Sequence, residues 1–478
     1  MKTIFLIIMI SSLILSQTKF DDINKLVTSG EFTNAIRLID EKLQTQNLLY
    51  DDIFQLQFEK ERLDRIRKDF NKTSEDILKY VRRYYPQADE TYLKKWEDDG
   101  SLEFKVIDGQ KWYFSRAASN LFRINKDAKK QKESVDGPYK DPLDIFLESY
   151  VPKVIQESKV KNSKFVNPLT MRLNYTVTLL ENSIPHGEIV RCWLPFPREG
   201  RERQTEIKLL GINADEYVIA SNDNQQRTIY LEKVVQENQP TIFNMVLEIT
   251  SYAEVNSIDL NTIKPYNKES GLYKTFTKER FPHIVFTDKI KELSKRIVGD
   301  EKNPYLIARK IFTWISDNIP WAGAREYSTI ENISDYCISR MHGDCGIKTL
   351  LFMTLCRYNG IPTKWQSGWM LHPNEVNLHD WCEIYFEGYG WLPVDQSFGL
   401  VQSENEEEKY FFFGSTDAFH LITNDDYSSP LFPAKIFPRS ETVDFQRGEL
   451  EWRGGNIYFD KWKYKMEVEY FEQTEREN

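Results

Sequence analysis

Three residues whose side chains can act together in nucleophilic catalysis occur in the order Cys345, His379, Asp395. A thiolate can attack a carbonyl carbon, an imidazole can take the thiol proton and return it to a leaving amine, and a carboxylate can hold the second ring nitrogen. Cys345 alone also fits a buried, inert cysteine near a glycine turn. The three residues together predict attack on a peptide or carboxamide carbonyl through a thioester acyl-enzyme.

The sequence around Cys345 predicts a helix that begins at this residue. A largely apolar run covers residues 347–355, Gly360 and Pro362 end it, and Asp344 is placed to cap its start. The dipole and free amide groups of a first helical turn favour a thiolate, although the charge of Asp344 opposes this effect. We therefore expect Cys345 to be a low-pKa thiol and the only one of the five cysteines that is rapidly alkylated near neutral pH.

The sequence around His379 predicts a strand, a glycine-containing turn and a second strand that ends at Asp395. Alternation along the first strand places His379 on one face and Cys382 on the other. A tight turn at Gly388 and Tyr389 would pair Asp395 with Cys382 instead of His379. The approach of Asp395 to His379 therefore requires a bulge or an irregular turn.

Four motifs in this region resemble the core of the transglutaminase-like superfamily over about residues 285–400. They lie at residues 343–345, 356–362, 379–383 and 390–395. The resemblance implies a papain-like α+β core and gives Cys345, His379 and Asp395 the roles of nucleophile, base and orienting carboxylate. It also implies an oxyanion hole from the Cys345 backbone amide and an upstream aromatic residue, a position that Trp321 matches loosely; a core aromatic residue is the alternative for Trp321.

One departure from the family pattern lies beside the predicted base. The family usually has a small residue directly after the histidine, and this chain has Asp380 there. We expect the mechanism to survive this change, which places another carboxylate near the site.

The periodicity of the remaining chain indicates helices first and strands later. We predict an α+β fold in which a papain-like transglutaminase core is preceded by a β-sandwich and a helical N-terminal region. Charged residues 129–142 suggest a linker, and Pro152 is expected to kink or break a helix near 145–160. The predicted divisions are a signal peptide at 1–16, a mostly helical region at 17–165, a β-sandwich at 166–265, the catalytic domain at 266–400 and a β-rich extension at 401–478.

The N-terminus predicts export. Lys2 is followed by a short apolar run and a small residue near Ser16, a pattern typical of a cleaved signal peptide, with an N-terminal anchor helix as the alternative. We expect the mature chain to start near Gln17, in the periplasm or outside the cell, with no later membrane-spanning segment. An odd number of cysteines in an exported chain suggests a free, reactive thiol.

Composition argues against nucleic-acid binding, because 73 acidic residues exceed 63 basic ones and give a net charge of −10. Helices before a hairpin at Asp108-Gly109 are similar to a winged helix, but in an acidic, exported chain we expect a small structural or docking domain. No zinc spacing, phosphate loop or dinucleotide motif is convincing, so we infer no metal and no cofactor. We expect His186, His283 and His372 at the surface or in turns. Phe419 and His420 in the extension could cover the catalytic cleft, but we favour a structural role for them.

These features predict a secreted peptidase or amidase that acts on a peptide or protein substrate. Cell-wall peptide, host protein and imported peptide stay open as substrates. Resolution of the acyl-enzyme by an amine would instead give a protein cross-linking transglutaminase. A non-catalytic scaffold that binds peptide or glycan is the alternative from a different class.

Overall fold

The computed structural model describes residues 19–45 and 47–471. The expected signal peptide at 1–16 and the expected mature start at Gln17 lie outside the described residues. The chain divides into two compact units, residues 1–137 and 138–478. In the described part of the chain, no helix has both the length and the apolar character required to cross a bilayer.

The first unit combines helices with a small antiparallel sheet of strand order β1-β3-β2. Its elements are α1 (Asp21–Thr28), α2 (Phe32–Thr45), α3 (Tyr50–Asp69), β1 (Phe70–Lys72), α4 (Ser74–Val81), α5 (Glu90–Asp98), β2 (Phe104–Ile107), β3 (Gln110–Phe114), α6 (Ala117–Ile124) and α7 (Lys126–Asp136). The predicted hairpin is present, because Ile107 pairs with Gln110 and leaves Asp108 and Gly109 as the turn. Both turn residues have positive φ, as a tight hairpin turn of the primed type requires.

The boundary between the two units, at residues 137 and 138, falls within the linker predicted at 129–142. Residues 129–136 of this segment are helical and belong to α7, so they do not form a loop. The side chain of Asn125 caps this helix by accepting hydrogen bonds from the amides of Asp127 and Ala128. Lysine, glutamine and glutamate are good helix formers, so a charged composition does not by itself indicate a loop.

The second unit begins with a long helix and continues through strands and short helices. Its elements are α8 (Pro142–Lys161), β4 (Phe165–Leu179), β5 (Ile189–Pro195), β6 (Gln204–Ile212), β7 (Val218–Ile219), β8 (Thr228–Val234), β9 (Thr241–Glu254), α9 (Gly271–Phe276), α10 (Asp288–Val298), α11 (Pro304–Asn318), α12 (Ile333–Arg340), α13 (Cys345–Tyr358), β10 (Thr363–His372), β11 (Glu375–Phe386), β12 (Gly390–Val394), α14 (Glu406–Lys409), β13 (His420–Asn424), β14 (Glu449–Trp452), β15 (Gly455–Ile457) and β16 (Trp462–Phe471).

Helix α8 continues through Pro152, so the predicted break at this residue is wrong. Proline removes one helical hydrogen bond and costs about 3 kcal/mol in a helix interior. The helix nevertheless buries Leu147, Val151 and Val154 on both sides of the proline. Burial of side chains of this size contributes about 1.5–3 kcal/mol each, enough to offset the lost hydrogen bond.

Two antiparallel sheets, of order β15-β14-β5-β8-β7 and β16-β4-β9-β6, are built from strands that are distant in sequence. Strand β14 pairs with β5, and β16 pairs with β4 along its whole length. Residues 166–265 therefore do not form a self-contained set of strands, because the predicted C-terminal extension completes both sheets. Alternating inward-facing side chains of β4, among them Leu173, Tyr175 and Val177, are buried.

A third antiparallel sheet, of order β12-β11-β10-β13, carries the candidate site. Helix α13 packs against β10 and β11 and is buried from Gly346 to Arg357. The fully buried Trp365 and Trp369 of β10 belong to the same apolar core. Strand β13 comes from the predicted extension, so this segment also contributes directly to the sheet of the candidate site. The domain boundaries proposed from sequence within residues 138–478 stay predictions.

Candidate active site

Cys345 is the first residue of α13, and Asp344 caps this helix as the sequence predicts. The Asp344 carboxylate accepts hydrogen bonds from the Ile347 amide at 3.2 Å and from the Tyr327 hydroxyl at 2.7 Å. Cys345 is half-buried, whereas the other four cysteines are buried. Reagents and substrates therefore have better access to Cys345 than to any other thiol of this protein.

The Cys345 thiol lies beside a carboxylate and not beside the predicted base. Its Sγ donates a hydrogen bond to Oδ2 of Asp380 at 3.3 Å, while the described residues show no hydrogen bond between Cys345 and His379. Burial and the negative charges of Asp380, Asp344 and Asp444 raise the pKa of the Cys345 thiol well above its ordinary value. The prediction of a low-pKa thiol is therefore wrong for this arrangement, because the carboxylates outweigh the favourable position at the helix start.

The structure brings His379 and Asp395 together through an irregular turn. Phe386 pairs with Gly390, so three residues connect β11 and β12. A two-residue turn would have placed Asp395 opposite Cys382; the longer connection shifts the register by one residue. Asp395 then lies on the same face as His379, with its Oδ2 2.6 Å from Nε2 of that histidine.

The buried Asp395 carboxylate has four hydrogen-bond partners. Its Oδ1 accepts from the backbone amides of Ser397 at 2.8 Å and Phe398 at 3.0 Å. Its Oδ2 contacts Nε2 of His379 and, at 3.0 Å, Nε2 of His420. Although burial opposes ionisation, the two histidines hold the pKa of Asp395 below its usual range. An ionised Asp395 can only accept, so both histidines donate from Nε2 and His379 retains Nδ1 for proton transfer.

A further carboxylate and two further histidines, none of them predicted from sequence, continue this arrangement through the core. Asp417 Oδ1 lies 2.8 Å from His420 Nδ1, and Asp417 Oδ2 lies 2.9 Å from His372 Nε2. We call the buried series His372, Asp417, His420, Asp395 and His379 the histidine–aspartate chain. Pairing of Met370 on β10 with His420 on β13 brings His420, from the predicted C-terminal extension, next to the strands of the site. No local motif marks this contact, so only the fold could reveal it.

Of the three histidines expected at the surface or in turns, His186 is exposed and His283 lies in a turn, although its side chain is buried. The prediction is wrong for His372, which is a buried residue of β10. His283 Nδ1 accepts a hydrogen bond from the Ile333 amide at 3.4 Å, and burial lowers the pKa of this imidazole to about 4. His283 therefore is a neutral residue of the core.

Trp321 lies next to the segment that leads into Cys345. The Gly343 amide donates to the Pro320 carbonyl at 3.3 Å, and the Ala322 amide donates to the Gly343 carbonyl at 3.1 Å. The side chain of Trp321 is 39% exposed, so its interpretation as a core aromatic residue is wrong. Its part in an oxyanion hole stays a prediction.

The histidine–aspartate chain contains two sets of three groups that could face one metal ion, both of them including His420. Ligands about 2.0–2.1 Å from a tetrahedral zinc ion lie about 3.3 Å from one another. The nitrogen–oxygen distances in the chain are 2.6, 2.8, 2.9 and 3.0 Å. These distances are typical of direct hydrogen bonds and fit poorly with side chains that share an ion.

The comparison with known families agrees with the motifs. Residues 291–396 match the family model described as the transglutaminase-like superfamily. The chain therefore contains a transglutaminase-like domain within a fold of mixed helix and sheet, and the resemblance inferred from the sequence is confirmed. Cys345, His379 and Asp395 all lie within the matched residues; their catalytic roles stay predictions.

Similar proteins come from several bacteria. An uncharacterized protein of Haemophilus influenzae is 24% identical over 287 residues, which cover 50% of this chain and 75% of that protein. A candidate cysteine protease of known structure from Cytophaga hutchinsonii has a TM-score of 0.43 and 16% identity, covering 64% of this chain and 91% of the other. The periplasmic domain of TgpA from Pseudomonas aeruginosa has a TM-score of 0.26 and 13% identity, covering 48% of this chain and 88% of the other.

Proposed function

We propose that this protein is an exported cysteine-nucleophile hydrolase that cleaves peptide or carboxamide bonds, with Cys345 as nucleophile, His379 as base and Asp395 as orienting carboxylate. The observation that carries the proposal is the buried 2.6 Å hydrogen bond between His379 and Asp395, in the same domain as a half-buried cysteine at a helix start. Peptides of the cell wall and other exported or host proteins have the required bond.

In the proposed first step, the Sγ of Cys345 attacks the carbonyl carbon of the scissile bond. The thiol proton passes to Nδ1 of His379, because Nε2 already carries the proton donated to Asp395. The carbon–nitrogen bond breaks, His379 returns the proton to the leaving amine, and a thioester remains on Cys345. The backbone amide of Cys345 belongs to the first turn of α13, where amides have no intrahelical acceptor, so it is available to the developing oxyanion.

In the proposed second step, water attacks the thioester and gives its proton to His379. The carbon–sulfur bond breaks, the acid product leaves, and the proton returns to the sulfur of Cys345. An amine in place of water would give an amide and hence a cross-link. We favour water because hydrolysis, unlike cross-linking, needs no second substrate that carries an amine.

The Cys345–Asp380 hydrogen bond must break before attack, because it uses the thiol proton that has to pass to His379. In this proposal the Cys345 side chain rotates toward His379 when substrate enters. The same hydrogen bond and the raised thiol pKa favour the competing function, a scaffold that binds peptide without cleaving it. The two functions differ in whether Cys345 ever carries an acyl group.

The test is mass spectrometry of the intact protein during incubation with a peptide library, with and without an added primary amine. A hydrolase gives a transient acyl adduct on Cys345 and new carboxyl termini in the library, and Cys345→Ala abolishes both. Cys337→Ala is the matched control, since it removes a buried cysteine of the same domain and should change neither. Binding of peptides without any adduct or cleavage would support the scaffold, and amine incorporation in place of new carboxyl termini would support the cross-linker.

A further inference from the structure

The hydrogen bonds of the histidine–aspartate chain determine which of its side chains carry protons. Asp395 and Asp417 are buried carboxylates, and the neighbouring histidines hold the pKa of each below its usual value. Both ring nitrogens of His420 contact these carboxylates, Nε2 at 3.0 Å and Nδ1 at 2.8 Å. An ionised carboxylate only accepts, so both nitrogens of His420 carry protons and the ring is an imidazolium.

Among the described residues, His420 is the group that forms hydrogen bonds to both carboxylates. Its own loop contributes Asp417, while β10 and β11 contribute the rings of His372 and His379. Arg203, just before β6, donates to the backbone carbonyls of His420 and Asp417 rather than to a carboxylate. Tyr150 from α8 faces Asp417, and burial raises the pKa of its hydroxyl, so it stays neutral.

Lys348 of α13 is the remaining charged group near Asp395. Burial lowers the pKa of its ammonium to about 8. The two carboxylates of Asp417 and Asp395 nevertheless raise the pKa of His420 to about 9, although burial opposes this. His420 therefore places its positive charge next to Oδ2 of Asp395, the same oxygen that accepts the hydrogen bond from His379.

We propose that His420 is a positioning residue of the active site, an imidazolium that partly neutralises Asp395 and thereby reduces the stabilisation that this carboxylate gives to a protonated His379 ring. Its catalytic consequence rests on the proposed function, whereas its charge state does not. A neutral base is needed to accept the thiol proton, so His420 extends activity toward lower pH. Without that cation, the whole negative charge of Asp395 acts on His379 and keeps its ring protonated to higher pH.

The first experiment compares the pH profiles of kcat/KM for the wild-type enzyme and His420→Gln. Glutamine can still donate one hydrogen bond to Asp395 but carries no charge. We expect the acid limb to move upward by about one pH unit, as the loss of a positive charge near the protonated His379 ring predicts. His283→Gln is the matched control, because it changes another buried histidine outside the histidine–aspartate chain and should leave the limb in place. A lower rate with an unmoved limb would assign His420 a merely structural role and overturn the proposal.

The second experiment requires no activity and separates this proposal from the proposed function. The ring nitrogens of 15N-histidine are followed by NMR in Cys345→Ala, with and without His420→Gln, over a pH titration. We expect His420 to show two protonated nitrogens at pH 7, and His379 to titrate at a higher pH in the double variant. A neutral His420 at pH 7, or an unchanged titration of His379, would overturn the inference even in an active enzyme.

Discussion

The Cys345 thiol donates its hydrogen bond to Asp380, the residue that directly follows the predicted base His379. Asp380 also accepts from the side-chain amide of Gln446 at 2.6 Å. Burial and the neighbouring Asp444 and Asp344 raise the pKa of the Asp380 carboxyl well above its usual range. Cys345 therefore lies among acidic groups that stabilise its thiol over the thiolate. One of these groups, Asp380, occupies a position at which the transglutaminase-like family usually has a small residue.

Replacement of Asp380 by alanine should speed the alkylation of Cys345. The substitution removes the hydrogen-bond acceptor that holds the thiol and an acidic group that opposes ionisation of the thiol. The rate with limiting iodoacetamide at pH 7, measured by peptide mapping, should rise about tenfold, since one pKa unit changes the thiolate fraction by that factor. In the unmodified protein we still expect Cys345 to label before the four buried cysteines.

Asp380→Asn separates the effect of charge from that of space. Asparagine has nearly the same size as aspartate, so a rise in both variants would assign the effect to charge, and a rise in the alanine variant alone would assign it to access. No rise in either variant would mean that Asp380 does not control the thiol. His379→Ala in the same assay reports whether thiolate formation depends on the predicted base.

The sequence contains enough information to place Cys345 at the start of its helix. Asp344 and the apolar run after Cys345 define a cap and a buried face, and both depend on neighbouring residues only. The alternation around His379 is local in the same way. These patterns work because the physical cause of each element lies within one or two helical turns or one strand.

The contacts that could not be predicted from the sequence depend on pairing between strands that are distant along the chain. His420 reaches Asp395 because β13 pairs with β10, and the strands that complete the other two sheets come from residues 449–471. No periodicity specifies which distant strands become neighbours. The expectation of a low pKa for the Cys345 thiol is wrong for a related reason. Burial of the thiol, and the approach of Asp380 and Asp444 to it, occur only in the folded chain.

Asp395→Asn should lower turnover by less than Cys345→Ala while the fold is kept. The carboxylate fixes the tautomer of His379 and does not attack substrate, so the loss should reach about 10⁴-fold with residual activity, whereas removal of the thiol abolishes the acyl-enzyme. The measurements are kcat on a peptide found in the library and the near-UV circular dichroism spectrum of each variant. Equal and complete loss of activity with identical spectra would contradict the orienting role.

Gly368→Ala should disturb the strand that carries His420. A Cβ at Gly368 would overlap the carbonyl oxygen of Leu421 and lie 2.9 Å from the Thr423 amide nitrogen. The pairing of β10 with β13 would have to open, at a cost of about 1–3 kcal/mol in the free energy of unfolding measured by urea denaturation. Gly271→Ala is the control, because no atom lies within 4 Å of its added Cβ. Equal free energies of unfolding for the two variants would show that β10 and β13 have room for a Cβ at Gly368.

The stability that two buried carboxyl groups, Glu441 and Asp444, give to the protein should fall as pH rises from about 4 to 8. Burial and the charges of Glu326 and Asp444 raise the pKa of Glu441 to about 8, and burial raises the pKa of Asp444 to about 6. In the unfolded chain both groups titrate near pH 4, so the folded state binds protons more tightly. Their contribution is complete below about pH 4 and is lost as pH rises through about 6 and then about 8.

Urea denaturation between pH 4 and 9 measures this loss, which should be on the order of 1 kcal/mol per pH unit for each group between its unfolded and folded pKa values. Glu441→Gln imitates the protonated carboxyl and should flatten the decline, whereas Glu237→Gln, a change at an exposed residue, should not. The raised pKa of His420, about 9, adds a separate loss at the alkaline end, because that cation gives up its proton there. A free energy of unfolding that is independent of pH over this range, or an equal slope in Glu441→Gln, would show that Glu441 stays ionised in the core.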